Sequence, residues 1–341
     1  MLPVSDLDSI LLHTEGVWES LRGKKIFLTG GTGFIGKWLT ESFLHANERL
    51  SLGASMHVLS RDPNAFLSGY PWLSDRIDLR WVAGDVRSFT FPRGAFSHIV
   101  HAATSSSDPA PPMETFDTIV QGTRRVLDFS RHVRASRFLF LSSGAVYGRQ
   151  PSSIERIPES YIGAPMTTLS HSAYGEGKRA AEWLVFEFGH RYGISASVAR
   201  CFAFVGPYLP LDRHYAIGNF IRDALSGGPI RIDADGSPFR SYLYAADLAV
   251  WIWTILLKGQ SNEPYNVGSD MSLTIKELAA FVAKNMPTPL DVLVAQSSVP
   301  GAPAERYVPS IEKARTQLGL DVWTSLDQSI RKTLDWNKKW K

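Results

Sequence analysis

The run Lys24-Lys25-Ile26-Phe27-Leu28-Thr29-Gly30-Gly31-Thr32-Gly33-Phe34-Ile35-Gly36 decides how the rest of the chain folds. It reads as a buried strand of apolar and β-branched residues running straight into a glycine turn. Lys37-Trp38-Leu39-Thr40-Glu41-Ser42-Phe43-Leu44 then continues with apolar residues at helical spacing. Three glycines carry the reading: Gly30, Gly33 and Gly36. Glycine is required where a turn is tight, where the backbone must approach a pyrophosphate, and where a helix packs closely on the preceding strand. The free amides and positive dipole end of that helix would hold the phosphates of a dinucleotide. Thr32, Phe34 and Ile35 complete the expected cradle.

Length and composition frame this motif. A chain of 341 residues suggests two domains of ~150 residues each and is long enough for a sizeable core. Apolar residues at 44% and charged residues at 20% are ordinary for a globular enzyme. A net charge of +3 is too small to argue for nucleic acid, whereas 24 arginines against 12 lysines suit local anion recognition by forked guanidinium groups. The single Cys201 excludes an internal disulfide and fits a reducing compartment. No basic-then-apolar leader opens the chain, and the strongest apolar run, residues 248–257, is half the ~20 residues a membrane span needs. The expectation is a cytoplasmic protein with neither nucleic-acid nor membrane partner. No spacing of His, Cys, Asp or Glu suggests a metal site, and no internal repeat is present.

Residues 1–22 place Leu7, Ile10, Leu11, Val17 and Leu21 at spacings that predict one or two short helices, serving packing or an oligomer contact. A second strand is predicted over 56–60, ending in Ser60-Arg61-Asp62-Pro63. An acidic side chain at this tip binds the ribose 2′-hydroxyl of NAD, while an arginine accommodates the extra phosphate of NADP. Ser60 and Arg61 favour NADP(H) over NAD(H); the alternatives are that Asp62 reaches the ribose or that Arg61 stacks on adenine. Strands over 79–82 and 98–103 follow, the first leading to Asp85 and Val86, the second ending in Ala102, Ala103 and Thr104. Small residues there let a flat cofactor lie against the backbone. Asp85 suits the adenine amino group, or is a simple turn residue. Strands alternating with helical stretches such as 118–129 predict an α/β, Rossmann-type, doubly wound parallel sheet. The proline-rich stretch 107–112 reads as an extended loop, either bordering a substrate cleft or acting as a spacer. His101 reads as a structural histidine.

A fifth strand, 137–141, delivers Ser142-Ser143-Gly144-Ala145-Val146-Tyr147-Gly148, and Tyr174-Gly175-Glu176-Gly177-Lys178 follows. Tyr174 and Lys178 are four apart and so project from one helix face. A phenol with an ordinary pKa near ~10 is a poor base at neutral pH, but a neighbouring ammonium and a cationic nicotinamide both favour the phenolate. Tyr174 then exchanges a proton with an alcohol or carbonyl oxygen, Ser143 hydrogen-bonds the same oxygen, and Lys178 also holds the nicotinamide ribose. Tyrosine and lysine are common, so the pair alone says little; its weight comes from following the glycine turn and the serine-bearing strand in this order.

With these motifs in place, residues 24–335 resemble the extended short-chain dehydrogenase/reductase superfamily, in its sugar-nucleotide epimerase, dehydratase and reductase branch. The glycine fingerprint matches Gly30, Gly33 and Gly36, the catalytic serine or threonine matches Ser143, and the tyrosine and lysine match Tyr174 and Lys178. Arg200 to Tyr208 look like the strand leaving the cofactor domain. Asn219 to Arg222 and Gly228 to Ile232, with Asn219 and Arg231, resemble the elements that cover the nucleotide. Phe239-Arg240-Ser241-Tyr242 matches a signature whose arginine contacts a diphosphate, and Pro300 to Tyr307 offers Arg306 as a second such ligand. Arg240 and Arg306 also make sense physically as bidentate diphosphate clamps. Ser105 is a further expected substrate contact. The resemblance implies a nucleoside-diphosphate sugar as substrate and a homodimer.

Two departures narrow the chemistry. Dehydratases of the branch carry an Asp-Glu pair just after the catalytic threonine, where this chain has Gly144-Ala145, so 4,6-dehydration is not expected. The branch's usual asparagine in the strand after the catalytic helix is replaced by Ala203. What remains is redox at C4 of a hexose: reduction of a 4-keto-6-deoxysugar nucleotide with NADPH, or a 4-epimerase that keeps NAD bound. A non-catalytic dinucleotide sensor is a reading of another class, against which the presence of Ser143, Tyr174 and Lys178 stands. The expected organisation is a lead over 1–22, a cofactor domain over 23–200, and a smaller mixed α/β substrate domain over 201–341. Helices are predicted over 247–258, 275–285, 310–318 with Ser310 as N-cap, and 325–336.

Overall fold

β1 (Lys25–Thr29) buries all but its first residue, and Gly30, at φ 74°, turns the chain into α2 (Phe34–Arg49). The computed structural model describes residues 1–104, 110–213, 215–297 and 303–339. Before β1 lie α1 (Val4–His13) and a short 3-10 turn, Trp18–Leu21, as the lead's apolar spacing predicts. After α2 come β2 (Ser55–Ser60), α3 (Pro63–Gly69), β3 (Leu79–Ala83), β4 (His98–His101), α4 (Pro112–His132), β5 (Arg137–Ser143), α5 (Ala173–Tyr192) and β6 (Ser195–Cys201). The chain continues through β7 (Phe204–Val205), α6 (Ala216–Leu225), β8 (Ile230–Ile232), β9 (Phe239–Arg240), β10 (Leu243–Tyr244), α7 (Ala245–Lys258) and β11 (Glu263–Val267). It ends with β12 (Leu273–Thr274), α8 (Ile275–Lys284), β13 (Val292–Val294), β14 (Arg306–Tyr307), α9 (Glu312–Leu318) and α10 (Leu326–Lys338).

The main sheet has seven strands in the order β11-β6-β5-β4-β1-β2-β3, and β1 to β6 all pair in parallel. Strand order reverses between β1 and β4. In doubly wound sheets the ligand crevice lies outside the carboxyl ends of the strands at that switch point, which here brings Gly30 beside Ala102 and Ala103. β4 stops two residues before the predicted end because Ala103 turns its amide to the Thr29 hydroxyl, 3.0 Å away, instead of continuing the ladder.

One compact unit comprises Met1–Gly148, Ile162–Cys201 and Ala249–Tyr265. On one face of its sheet, Phe27 packs against Phe89 and Phe129 at ring separations of 5.5 and 4.7 Å, under helices α4 and α5. Elsewhere in the unit, the lead is locked in by tryptophans: Trp18 meets Trp253 at 4.8 Å, and Trp253 Nε1 donates to Ser42 on α2 at 2.9 Å.

The second unit comprises Arg149–Tyr161, Phe202–Leu248 and Asn266–Lys341. Its strands form small sheets, β10-β7, β12-β9-β14 and β13-β8. α8 and α10 open on reciprocal capping boxes, Thr274 with Glu277 and Ser325 with Gln328. α9 starts later than predicted: its N-cap is Ile311, and Ser310 Oγ reaches only the Glu312 amide at 3.5 Å. Among the described residues no helix is long and apolar enough to cross a membrane, and no His/Cys/Asp/Glu group is arranged to hold a metal.

Candidate active site

The glycine turn is built from positions that leave no room for a side chain. A Cβ on Gly30 would lie 2.7 Å from the Ala102 carbonyl and Ala103 amide, and one on Gly36 would run into the Gly30 carbonyl oxygen. Gly33 differs. Its backbone is extended at φ −77°, and a Cβ there would meet only the Gly30 carbonyl, at 3.3 Å. Gly33 is the N-cap of α2 without a side-chain cap, so the first-turn amides beyond it, at Phe34 and Ile35, are offered outward with the positive end of the helix dipole. Thr104 Oγ1, at the end of β4's extension, is buried without a hydrogen-bond partner. A cradle that only glycine permits, uncapped amides and an orphaned hydroxyl fit a dinucleotide. Gly30 to Gly36 would hold its diphosphate, with Ala102, Ala103 and Thr104 alongside.

At the tip of β2, Ser60 is half-buried and Arg61 is exposed. Asp62 is occupied as the N-cap of α3, its carboxylate accepting the Ala65 amide at 2.9 Å. Asp85 is bound by its own loop: the Arg87 guanidinium donates to it at 2.8 and 2.9 Å and the Arg87 amide at 2.8 Å. These hydrogen bonds hold the Asp85 carboxyl below its ordinary range, with a smaller contribution from the Arg61 charge. Val86 is buried against Gly122 of α4. Arg61 is therefore the cation this tip presents.

Ser143 ends β5, where its hydroxyl accepts the Ala145 amide at 3.1 Å and caps the 3-10 turn Gly144–Tyr147. Tyr174 lies in the first turn of α5, half-buried against the aromatic core, and Lys178 follows one turn on. Lys178 is fully buried: its Nζ donates to the Leu141 carbonyl at 2.7 Å and lies 4.6 Å from the Phe140 ring centre and 5.8 Å from that of Tyr174. Burial pulls its ammonium down to about 8, opposed by the Glu182 charge. His101 bridges Thr29 at 2.7 Å and Thr123 at 3.0 Å, and burial, with the Lys178 charge, pushes it down to about 3. It is a neutral pin between β1, β4 and α4.

In the second unit, β14 runs parallel to β9 with Arg306 opposite Phe239 and Tyr307 opposite Arg240. Opposed residues share a face and successive ones alternate, so Arg240 and Arg306 leave this strand pair on opposite faces. Arg306 lies over the Phe239 ring at 4.1 Å, while Arg240 donates to the Phe239 carbonyl at 2.9 Å and stands 3.7 Å from Glu305. Arg231 is exposed on β8, and Asn219 accepts from Arg222 at 3.3 Å on α6. Ser105 lies outside the described residues, as do residues 107–109 of the proline-rich stretch and 300–302 of the segment that leads to Arg306.

The sequence profile of the NAD dependent epimerase/dehydratase family matches residues 26–268. The chain belongs to this family. Curated relatives include UDP-glucuronic acid decarboxylase 6 of Arabidopsis thaliana, 29% identical over 310 residues that span 90% of this chain and 86% of the relative. UDP-glucuronic acid decarboxylase 1 of Xenopus tropicalis is 25% identical over 93% of this chain and 72% of its own. Among solved structures, UDP-glucose 4-epimerase from Thermotoga maritima, with UDP-glucose, superposes with a TM-score of 0.77 at 21% identity, covering 93% of this chain and 99% of that one. A dTDP-glucose 4,6-dehydratase from Streptomyces venezuelae, with NAD bound, gives 0.77 at 24% identity over 92% and 97%. The chain is thus an enzyme of the NAD dependent epimerase/dehydratase family with its Rossmann-type fold.

One buried group next to these residues is not announced as a whole by local sequence. Glu182 and Arg200 form a buried ion pair closing at 2.7 Å, with Ser142 and Tyr147 bound to it. Glu182 carried a usable signal, since it repeats the four-residue spacing of Tyr174 and Lys178 on α5. Arg200 carried none, because its partner is 18 residues away.

Proposed function

We propose that this enzyme carries out NADP(H)-dependent redox chemistry at C4 of a nucleoside-diphosphate hexose, in the direction of reducing a 4-keto-6-deoxysugar nucleotide. The observation that carries the reading is the make-up of the turn after β5. Ser143 is followed directly by Gly144 and Ala145, so the two positions after the hydroxyl donor carry no titratable side chain, and the Tyr147 phenol further along the turn is buried and engaged by Arg200. A single proton transfer beside a hydride transfer needs no more. Elimination of water needs a further titratable pair.

The dinucleotide supplies or accepts the hydride. The chain's own residues do the rest: Tyr174 delivers a proton to the C4 oxygen, Ser143 hydrogen-bonds that oxygen, and the Lys178 ammonium favours the phenolate left behind. Arg61, with Asp62 withdrawn into its helix cap, suits a 2′-phosphate better than a bare ribose diol. Arg240 and Arg306, which leave their strand pair on opposite faces, are proposed as separate anion contacts rather than a joint clamp, and the relatives' activity on nucleoside-diphosphate sugars supports that substrate class. Homodimerisation belongs to the same proposal.

The test is to denature the purified protein, identify any nicotinamide released, and titrate the stripped protein with NADPH and NADH. Protein free of nucleotide that binds NADPH at least ~10-fold more tightly supports the reductase, the factor being that of one charge-assisted contact. Close to one NAD recovered per chain, without NADPH preference, overturns it in favour of a 4-epimerase.

A further inference from the structure

Beneath the catalytic helix lies a set of buried charges that the proton-transfer scheme leaves unused. Glu182 sits one turn beyond Lys178 on α5, so the two side chains share a helix face. Its carboxylate is held from two neighbouring strands. Arg200 on β6 donates from Nε at 3.1 Å and from Nη2 at 2.7 Å, and Ser142 on β5 donates its hydroxyl at 2.5 Å. The Nη1 group of Arg200 donates to the Tyr147 hydroxyl at 2.9 Å, in the turn that follows Ser143. Ser142 pairs with Arg200 and Ser143 with Cys201 in the strand ladder, so backbone and side chains brace the same two strand ends.

An ion pair this deep is weak as a stability device, since apolar residues of similar volume usually do as well. What packing leaves unexplained is an anion placed one turn from a fully buried ammonium. The groups facing Lys178 are Glu182 and Tyr174 on α5, Cys201 on β6, His101 on β4, and the Leu141 carbonyl and Phe140 ring on β5. His101 is neutral, and Cys201, pushed up to about 12 by burial, is a thiol. Glu182 is the carboxylate among them.

We propose that Glu182 is a positioning residue for the reaction: it keeps Lys178 in its ammonium form and ties α5 to the strand end that bears Ser143. Arg200 is the counter-charge that sets how much of the Glu182 field reaches Lys178. The role rests on the catalytic reading of Tyr174 and Lys178 given above.

Removing the anion should make Lys178 lose its proton at lower pH, and removing the competing guanidinium should do the reverse. The chain holds 12 lysines, so a sample labelled at lysine Cε, with the Lys178 signal assigned by its loss in Lys178→Arg, follows this titration by NMR without added nucleotide. In Glu182→Gln the Lys178 midpoint should fall by at least ~1 unit, and in Arg200→Gln it should rise by a comparable amount. Where Glu182→Gln does not fold, the opposite shift in Arg200→Gln carries the test. The alkaline limb of the kcat profile should move with the midpoint, and Glu182→Asp should restore most of both. Midpoints within about 0.3 unit of the unsubstituted chain in the variants that fold overturn the proposal, that interval being well below the effect of a neighbouring charge. Full activity in Lys178→Met overturns the catalytic reading, and this role with it. An inactive Lys178→Met with unmoved midpoints overturns this role alone.

Discussion

Lys178 donates to the carbonyl of Leu141 across 2.7 Å, and the strand that carries this carbonyl ends two residues later in Ser143. The cation expected to tune the base and the hydroxyl expected to orient the substrate oxygen are thus tied through one strand. Lys178→Met keeps the length of the side chain and loses the charge. Its kcat should fall by about 100-fold or more, the usual yield of a proton-transfer device, while its melting temperature stays within a few degrees. Activity retained within a few-fold would contradict the assignment.

Tyr174 is only partly buried, so Tyr174→Phe removes a hydroxyl without opening a cavity. The loss in kcat should be about 10²–10⁴-fold with nucleotide affinity unchanged, measured by turnover and by cofactor fluorescence titration. A loss confined to affinity would make Tyr174 a binding residue.

The glycines of the turn should separate into two kinds. Gly36→Ala forces a methyl group onto the Gly30 carbonyl, a backbone atom that cannot swing away, and should lower stability by about 1–3 kcal/mol or prevent folding. Gly33→Ala meets only a 3.3 Å contact in an extended backbone, so it should fold. Its methyl would stand where a diphosphate must approach, and nucleotide affinity should drop at least ~10-fold, a loss of ~1.4 kcal/mol. Thermal melts paired with titrations tell the two apart.

Arg61→Ala should weaken NADPH binding by ~10-fold and leave NADH binding nearly untouched, since the guanidinium is exposed and Asp62 stays committed to its cap. Equal losses for both nucleotides would mean that Arg61 stacks on the shared adenine.

Asp247, in the first turn of α7, accepts from the Trp323 and Thr324 amides at 3.0 and 2.8 Å and from the Thr324 hydroxyl at 2.9 Å. Burial nevertheless pushes its carboxyl from 3.8 up to about 6, the hydrogen bonds opposing. A folded-state value above the unfolded one means that the folded chain binds the proton more tightly. The contribution is fully present below about pH 4 and is lost as pH rises through about 6, by up to about 3 kcal/mol. Asp247→Asn should flatten this slope, visible as melting temperatures compared at pH 5 and pH 8.

What the sequence disclosed was local. Strand, glycine turn and helix are written within 24–44, and the strands reaching Ser60 and Ser143 announce themselves by short apolar runs. The Tyr174–Lys178 spacing needs only helix geometry. The misreadings were also local but depended on which acceptor an amide chose. β4 stops at His101 because the Thr29 hydroxyl captures the Ala103 amide, and α9 begins after Ile311 although Ser310 has the better capping chemistry. The group around Glu182 and Arg200, and the opposite faces of Arg240 and Arg306, were illegible because they depend on strand register, which brings together residues distant in sequence. Nothing local marks residues 249–265 as part of the first unit either.

That last return has a bearing on how the protein is made. β6 ends at Cys201, and its outer neighbour β11 is complete only at Val267. On the ribosome, at ~5–20 residues per second, the hydrogen-bonding edge of β6 stays open for roughly 3–13 s before the strand that covers it has been synthesised. During that interval the nascent chain exposes an unpaired sheet edge, the feature most prone to pair with another chain. A gene truncated after codon 201 makes that exposure permanent, and its product should accumulate as aggregate rather than as an isolated cofactor domain.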